Sequence, residues 1–193
     1  RHLCAVHGRS KPGRVNFSDS HAGATERRPP VDLLPSRAIP CRLGPIPAMD
    51  LVRGLHNLAP RHRGCVATIG NYDGVHLGHQ HIIAALRERA SSAGVPAVVV
   101  TFEPTPREYF EGAAAPSRLT RLREKLEALE SCGVDRVVVL RFDDRMRSMG
   151  ATEFVDRLLV DGLAVRHVVV GHDFHFARRR EGNIETLRAA GTA

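Results

Sequence analysis

Residues 68–80 read T-I-G-N-Y-D-G-V-H-L-G-H-Q, and this stretch decides the fold. An apolar run, Cys65-Val66-Ala67-Thr68-Ile69, leads into it and stops at Gly70. Glycines at 70, 74 and 78 mark a short turn. Ile82, Ile83, Leu86 and Ala90 then recur at helical spacing on one face. The order is strand, Gly-rich turn, helix start. A helix start presents unpaired N–H groups and a partial positive charge, which suits a phosphate. Glycine lets backbone approach that phosphate closely. The stretch therefore reads as a nucleotide site without a Walker lysine.

Working outward, apolar strands alternate with amphipathic helices. Strands are expected over residues 64–69, 95–102, 135–142 and 165–171. Helices are expected over 78–93, 120–131 and 152–159, with a last one from about residue 184. Residues 103–117, with Pro104, Pro106, Pro116 and Gly112, read as a loop, and 172–183 as a second, polar one. Such alternation makes βαβ units and an α/β fold, a parallel sheet flanked by helices on both faces. Ligands of such sheets sit at the carboxyl ends of the strands. Gly70, the Thr101-Phe102-Glu103 segment, Phe142-Asp143 and Gly171-His172-Asp173 occupy those ends, and they hold nearly all the unusual polar residues.

The first 48 residues differ in kind. They hold seven of the twelve prolines, little periodicity and a basic excess of eight Lys/Arg over three Asp/Glu. They read as a disordered or spurious N-terminal extension, with a targeting arm as the alternative. Met49 reads as a plausible start. Residues 49–193 carry twenty Lys/Arg against eighteen Asp/Glu, a net +2, which disfavours a nucleic-acid partner despite the overall +7. No apolar run approaches the roughly 18 residues of a membrane span. Cys4, Cys41, Cys65 and Cys132 form no C-x-x-C pair, so a reducing cytoplasm is the expected setting. Oligomeric state is not legible.

His76 and His79 are the sharpest candidates. Two imidazoles at i and i+3, at a helix start, can both face a polyphosphate and donate N–H to it, more strongly when protonated. A metal pair with His81 or His56, or plain surface histidines, are the other readings. Asn71 and Asp73 could bind a ligand or satisfy turn backbone. Tyr72 could stack on a ring or pack on the sheet. Phe102 could face an aromatic ligand, while Pro104 and Pro106 fix the connector. Arg178, Arg179 and Arg180 could contact phosphate or form a solvated loop. Glu124-Lys125 and Arg145-Met146-Arg147 read as helix-face and loop charges without chemistry.

Four elements in order now carry a family likeness. T-I-G-N-Y-D-G-V-H-L-G-H-Q, V-T-F-E-P-T-P, L-T-R-L-R-E-K-L-E-A-L and V-V-V-G-H-D-F-H-F with its R-R-R-E-G-N tail resemble the adenylyltransferase half of bacterial FAD synthetases, the bifunctional riboflavin kinase/FMN adenylyltransferases. The resemblance covers about residues 51–183. It implies a Rossmann-like nucleotidyltransferase fold with an H-x-G-H signature. It also implies adenylyl transfer from ATP to FMN, giving FAD and pyrophosphate with Mg2+ held through the ATP phosphates. His76 and His79 match the signature and are the implied catalytic pair. Gly70, Asn71, Tyr72, Asp73, Gly74, Gly78 and Asp173 match the ATP side. Phe102, Pro104, Thr105 and Phe174 are candidates for the flavin side. Thr105 stands where the family pattern has His, and Ala177 where it has Gly. The family's S-T-x-I-R element and riboflavin kinase domain would follow residue 193, so residues 49–193 are expected to be an adenylyltransferase domain incomplete at its C-terminus. Another nucleotidyltransferase of the same fold, or an inactive ATP- or flavin-binding fragment, are the alternatives.

Overall fold

The protein was analysed as a computed structural model, and the structure describes residues 48–192. The expectation for the N-terminal extension, Ala48 apart, lies outside the described residues. Among the described residues five strands form one sheet in the order β1-β4-β3-β2-β5. They are β1 (Asp50–Arg53), β2 (Val66–Ile69), β3 (Ala97–Glu103), β4 (Arg136–Arg141) and β5 (His167–Val168). Every pairing is parallel.

β3 is the centre. Its residues Ala97 to Thr101 are all buried, as are Arg136 to Leu140 of β4. Strands covered on both faces read as continuous apolar runs, and these do. Alternate side chains go to opposite faces. Val98, Val100, Val138 and Leu140 join one core, with Phe154, Leu158, Leu159 and Leu187. Val99, Val137 and Val139 join the other, with Ile83, Leu86 and Leu129. Burying each such aliphatic side chain contributes about 1.5–3 kcal/mol.

Two helices, α1 (Leu77–Ala93) and α3 (Leu122–Ser131), thus cover one face. The other face is covered by α5 (Ala151–Phe154), which continues as a π-helical stretch over Val155–Gly162, and by α6 (Ile184–Thr192). Gly94, left-handed at φ 63°, ends α1.

Four differences from the sequence reading have local causes. β1 went unassigned because a four-residue edge strand has no period to detect. It is pinned by buried Arg136, whose Nε donates to Asp50 Oδ2 at 2.8 Å and whose Nη1 donates to the His62 carbonyl at 3.2 Å. The expected strand 165–171 keeps only His167–Val168 as named strand, although Val169 N–H still donates to the Ala67 carbonyl at 2.9 Å. The expected loop 103–117 contains α2 (Pro106–Glu111). The Arg145-Met146-Arg147 segment lies in α4 (Asp144–Ser148), capped by Asp143, with Met146 buried.

Ala177 sits at φ 65°, ψ −175°, between Phe176 and the 3-10 turn Arg178–Arg180. That region is essentially reserved for glycine and costs of order 1–3 kcal/mol for other residues. Replacing Ala177 by Gly is expected to stabilise the fold by about 1 kcal/mol, after the added freedom of the unfolded glycine is subtracted. Urea unfolding of both forms checks this. An unchanged or lower midpoint would contradict the strain.

Candidate functional site

The site is built where β2 ends. Gly70 extends the ladder by donating to the Val100 carbonyl at 3.0 Å. The chain then turns through Tyr72 at φ 50° and the 3-10 turn Asp73–Val75, and His76 begins α1. Val75 has φ 37°, a true outlier for a β-branched side chain and a mark of strain next to the histidines. Gly74 has φ 72°, and a Cβ there would lie 2.9 Å from Leu119 Cδ1. Its N–H donates to Thr120 Oγ1 at 3.0 Å.

His76 is the N-cap of α1, and its Nδ1 accepts from the His79 N–H at 3.4 Å. The two imidazoles stack, with centroids 3.7 Å apart and planes 20° from parallel. A Cβ on Gly78 would meet the His76 ring at 3.2 Å, so glycine there keeps room for the stack. An Nδ1 that accepts leaves the proton on Nε2 of a neutral ring. His79 is half-buried, and its Nδ1 has no hydrogen-bond partner among the described residues. Burial first, then His76 and Lys125, pull its pKa from 6.5 down to about 4, against the raising effect of Asp73. His79 is therefore neutral at pH 7, and the stronger donation of a protonated ring requires proton uptake.

Three of the expected contact residues are held by scaffold bonds. Tyr72, 2% exposed, belongs to the core, and its hydroxyl pairs with Thr68 Oγ1 at 2.6 Å. Burial pushes its phenol up to about 12 despite that bond. It reaches the site through its ring, 4.9 Å from that of His79. Asp73 accepts from the N–H of Leu119 and of Thr120, each at 2.9 Å, and from Thr120 Oγ1 at 3.1 Å. Burial raises its pKa, but these bonds outweigh it, so the net direction is down. Thr105, expected on the flavin side, is buried as the N-cap of α2. It accepts from the Glu108 N–H at 3.3 Å, and the Glu108 carboxylate accepts from the Thr105 N–H at 2.9 Å. This is a capping box with Pro106 in the first turn. The Thr105-Pro106-Arg107-Glu108 sequence carried that signal.

Beside the histidine turn lies an aromatic shelf. Phe102 meets Phe142 edge to face at 5.9 Å. Tyr109 and Phe110 also meet Phe142, at 5.3 and 5.7 Å. Phe110 is 62% exposed, a large apolar ring open to solvent. Pro104 follows at the same corner. The sequence reading found Phe102 and put Phe142 at a strand end but missed Tyr109 and Phe110, which lie in α2 where a loop is expected.

The third segment follows β5. Asn71, Asp173 and Arg178–Arg180 are exposed, while Phe174 is half-buried and stacks on Phe176 at 5.6 Å. Asp173 lends its carbonyl to His175 Nδ1 at 2.8 Å, and Arg178 lies 3.7 Å from Glu181. Topology places this loop at the same carboxyl edge as the histidines; the Arg178 N–H donates to the Met149 carbonyl at 2.9 Å, and Glu181 Oε1 accepts from the Ala151 N–H at 2.9 Å.

Lys125, read as a surface charge, is 1% exposed. Its partner in that reading, Glu124, is exposed and accepts from the Arg121 N–H at 2.7 Å. Burial lowers the pKa of Lys125, while Glu103, Asp73 and Glu108 raise it and Arg118 opposes them. Only the apolar stripe of α3 was legible; that Lys125 turns inward toward those acids was not.

A parallel sheet with a histidine-capped helix start at its carboxyl edge defines a Rossmann-like α/β protein of nucleotidyltransferase layout. The chain belongs to the FAD synthetase family, whose model matches residues 58–193. It is 60% identical over 143 residues to the bifunctional riboflavin kinase/FMN adenylyltransferase of Pseudomonas fluorescens, covering 74% of this chain and 46% of that protein. The same-named protein of Escherichia coli K12 is 49% identical over 145 residues, and that of Haemophilus influenzae 46% over 142, each with the same coverage. The chain thus spans about half the length of the curated relatives it matches. A crystal structure described as a macrolide-efflux protein from Streptococcus pneumoniae shares the fold, with a TM-score of 0.62 at 22% identity. It covers 73% of this chain and 47% of that one.

The low pKa of His79 makes two outcomes testable. Its folded value lies below its ordinary one, so the stability it contributes is complete above pH 6.5 and is lost as pH falls toward 4. An anion paired with the protonated ring must raise that value, so binding takes up a proton. In NMR titrations the His79 imidazole is expected to titrate near pH 4 alone and clearly higher with inorganic tripolyphosphate. A titration indifferent to tripolyphosphate would contradict the anion contact.

Proposed function

We propose that the gene product carrying this chain transfers the AMP unit of ATP to FMN, giving FAD and pyrophosphate. One observation carries the reading: the stacked His76–His79 pair opens α1 one strand away from the aromatic shelf. That arrangement offers a phosphate side and a flat-ring side at one sheet edge. Membership of the FAD synthetase family and the names of the relatives support it.

The FMN phosphate oxygen attacks the α-phosphorus of ATP in line. A new P–O bond forms, the bond bridging the α and β phosphorus atoms breaks, and pyrophosphate departs with its electron pair. The attacking phosphate is already ionised and needs no general base. Catalysis then rests on orientation and charge stabilisation. His76 Nε2–H and the His79 ring hold the triphosphate, with Gly70, Asn71, Gly74 and Gly78 lining the turn and Asp173 across from them. Arg178–Arg180 are phosphate contacts. Phe102, Pro104 and Phe174, joined by Tyr109, Phe110 and Phe142, form the flavin side. Among the described residues no group of three or more His, Cys, Asp or Glu is placed to hold a metal ion. Mg2+ would be held through the triphosphate rather than by a protein ligand set, and would supply charge neutralisation there.

Residues 49–193 make up the adenylyltransferase unit in this reading, and the whole gene product also phosphorylates riboflavin. The partners are small molecules rather than nucleic acid, in keeping with the near-balanced charge of that unit. No described helix is long and apolar enough to cross a membrane, and Cys65 and Cys132 are unpaired thiols. A cytoplasmic setting suits both.

The test is FAD formation from FMN, ATP and Mg2+, followed by HPLC. His79→Ala is expected to slow it by about a hundredfold or more while riboflavin phosphorylation persists. Adenylyl transfer at the wild-type rate in that variant would remove the assigned role.

A further inference from the structure

Beneath the histidine turn lies a set of buried polar groups that hydrogen bonding does not close. Glu103 Oε1 accepts from Arg118 Nη1 at 2.9 Å, but Glu103 Oε2 is buried with no partner among the described residues. His79 Nδ1 is in the same position. The Lys125 side chain is 1% exposed, and its charge acts on His79 as well as on the acids around Glu103. The charges facing it come from every element around it. Glu103 is on β3, Asp73 on the histidine turn, Glu108 on α2, Arg118 on the connector before α3, and His79 on α1.

The composition sharpens the point. Of the 28 basic residues, 26 are Arg, and Lys125 is one of two lysines. A guanidinium is a broad planar fork, whereas an ammonium is a compact point charge on a flexible stem. A closed space among several carboxylates selects the second. Burying an ammonium is costly, so its retention needs a return.

We propose that Lys125 is a positioning residue for adenylyl transfer: its buried charge holds the carboxylates of Asp73 and Glu103 toward one point and so fixes the histidine turn relative to the aromatic shelf. Asp73 is already clamped to the Leu119 and Thr120 amides just before α3, the helix that carries Lys125. Glu103 ends β3 and is bound through Arg118 to Glu108 of α2, the helix carrying Tyr109 and Phe110. Lys125 thus lies where the phosphate side and the ring side of the site converge. This inference rests on the adenylyl-transfer reading above. Misplacing two reactants by an ångström is enough to cost about a hundredfold in rate.

The experiment compares the whole gene product as wild type, as Lys125→Met, and as the double variant Lys125→Met/Glu103→Gln. The double variant neutralises the carboxylate that Lys125→Met leaves with Arg118 as its charged partner, and keeps the comparison open if the single variant does not fold. Steady-state FAD synthesis and the NMR titration of His79 are read on each folded form. Lys125→Met is expected to lower kcat about tenfold or more with both KM values within about threefold, and to move the His79 titration upward. The double variant is expected to regain stability but not kcat. Recovery of kcat in the double variant would show Lys125 to be a mere charge compensator and would overturn the proposal, as would a kcat within twofold of wild type in Lys125→Met. If the wild type forms no FAD, the transfer reading fails by itself. The His79 titration then decides the Lys125 linkage: an upward move supports it, and no move overturns it.

Discussion

The pairing of β3 with β4, from Val98↔Arg136 to Glu103↔Arg141, determines where everything else can stand. It is the longest ladder in the sheet, and it is parallel. Parallel strands all exit at the same edge, so β2, β3 and β4 deliver the histidine turn, the Glu103 corner and Phe142 to one side. Nothing in the turn sequences alone requires this. The crossover helices α1 and α3 do, because each must return the chain to the opposite edge before the next strand begins. The layout of that edge comes from backbone hydrogen bonding.

What was legible followed from period and punctuation. The valine runs 98–100 and 137–139 are buried on both faces, and a buried parallel strand has no polar face to interrupt it. α1 and α3 showed their stripes and stop signals. What was hidden was short or tertiary. β1 depends on the Asp50–Arg136–His62 contact, which joins residues far apart in sequence. β5 is cut to two residues because the chain leaves the ladder after Val169, although the run of valines through 170 stays buried. α2 had a legible cap, Thr105 with Glu108, masked by the surrounding prolines.

The site divides the same way. Its histidines could be named from spacing, since a helix start and two imidazoles three residues apart are local facts. The roles of Tyr72, Asp73 and Thr105 could not, because each was a choice between ligand and scaffold that only packing decides. All three are held by scaffold bonds. Lys125 went the other way, from an ordinary helix-face charge to a buried one, because its surroundings are assembled from five other segments. Side chains that look like a site in one dimension often serve to hold it in three.

The cap of α1 has a consequence for which residues could stand at its first position. A serine or aspartate at 76 would close the helix at least as well as an imidazole. Neither would leave a ring nitrogen on the far side. By giving Nδ1 to the backbone, the helix dictates the tautomer and leaves the other ring nitrogen to carry the N–H, so the tautomer is written by secondary structure rather than by solvent. Position 76 accepts a mediocre cap in return for a donor whose direction is fixed before any ligand arrives.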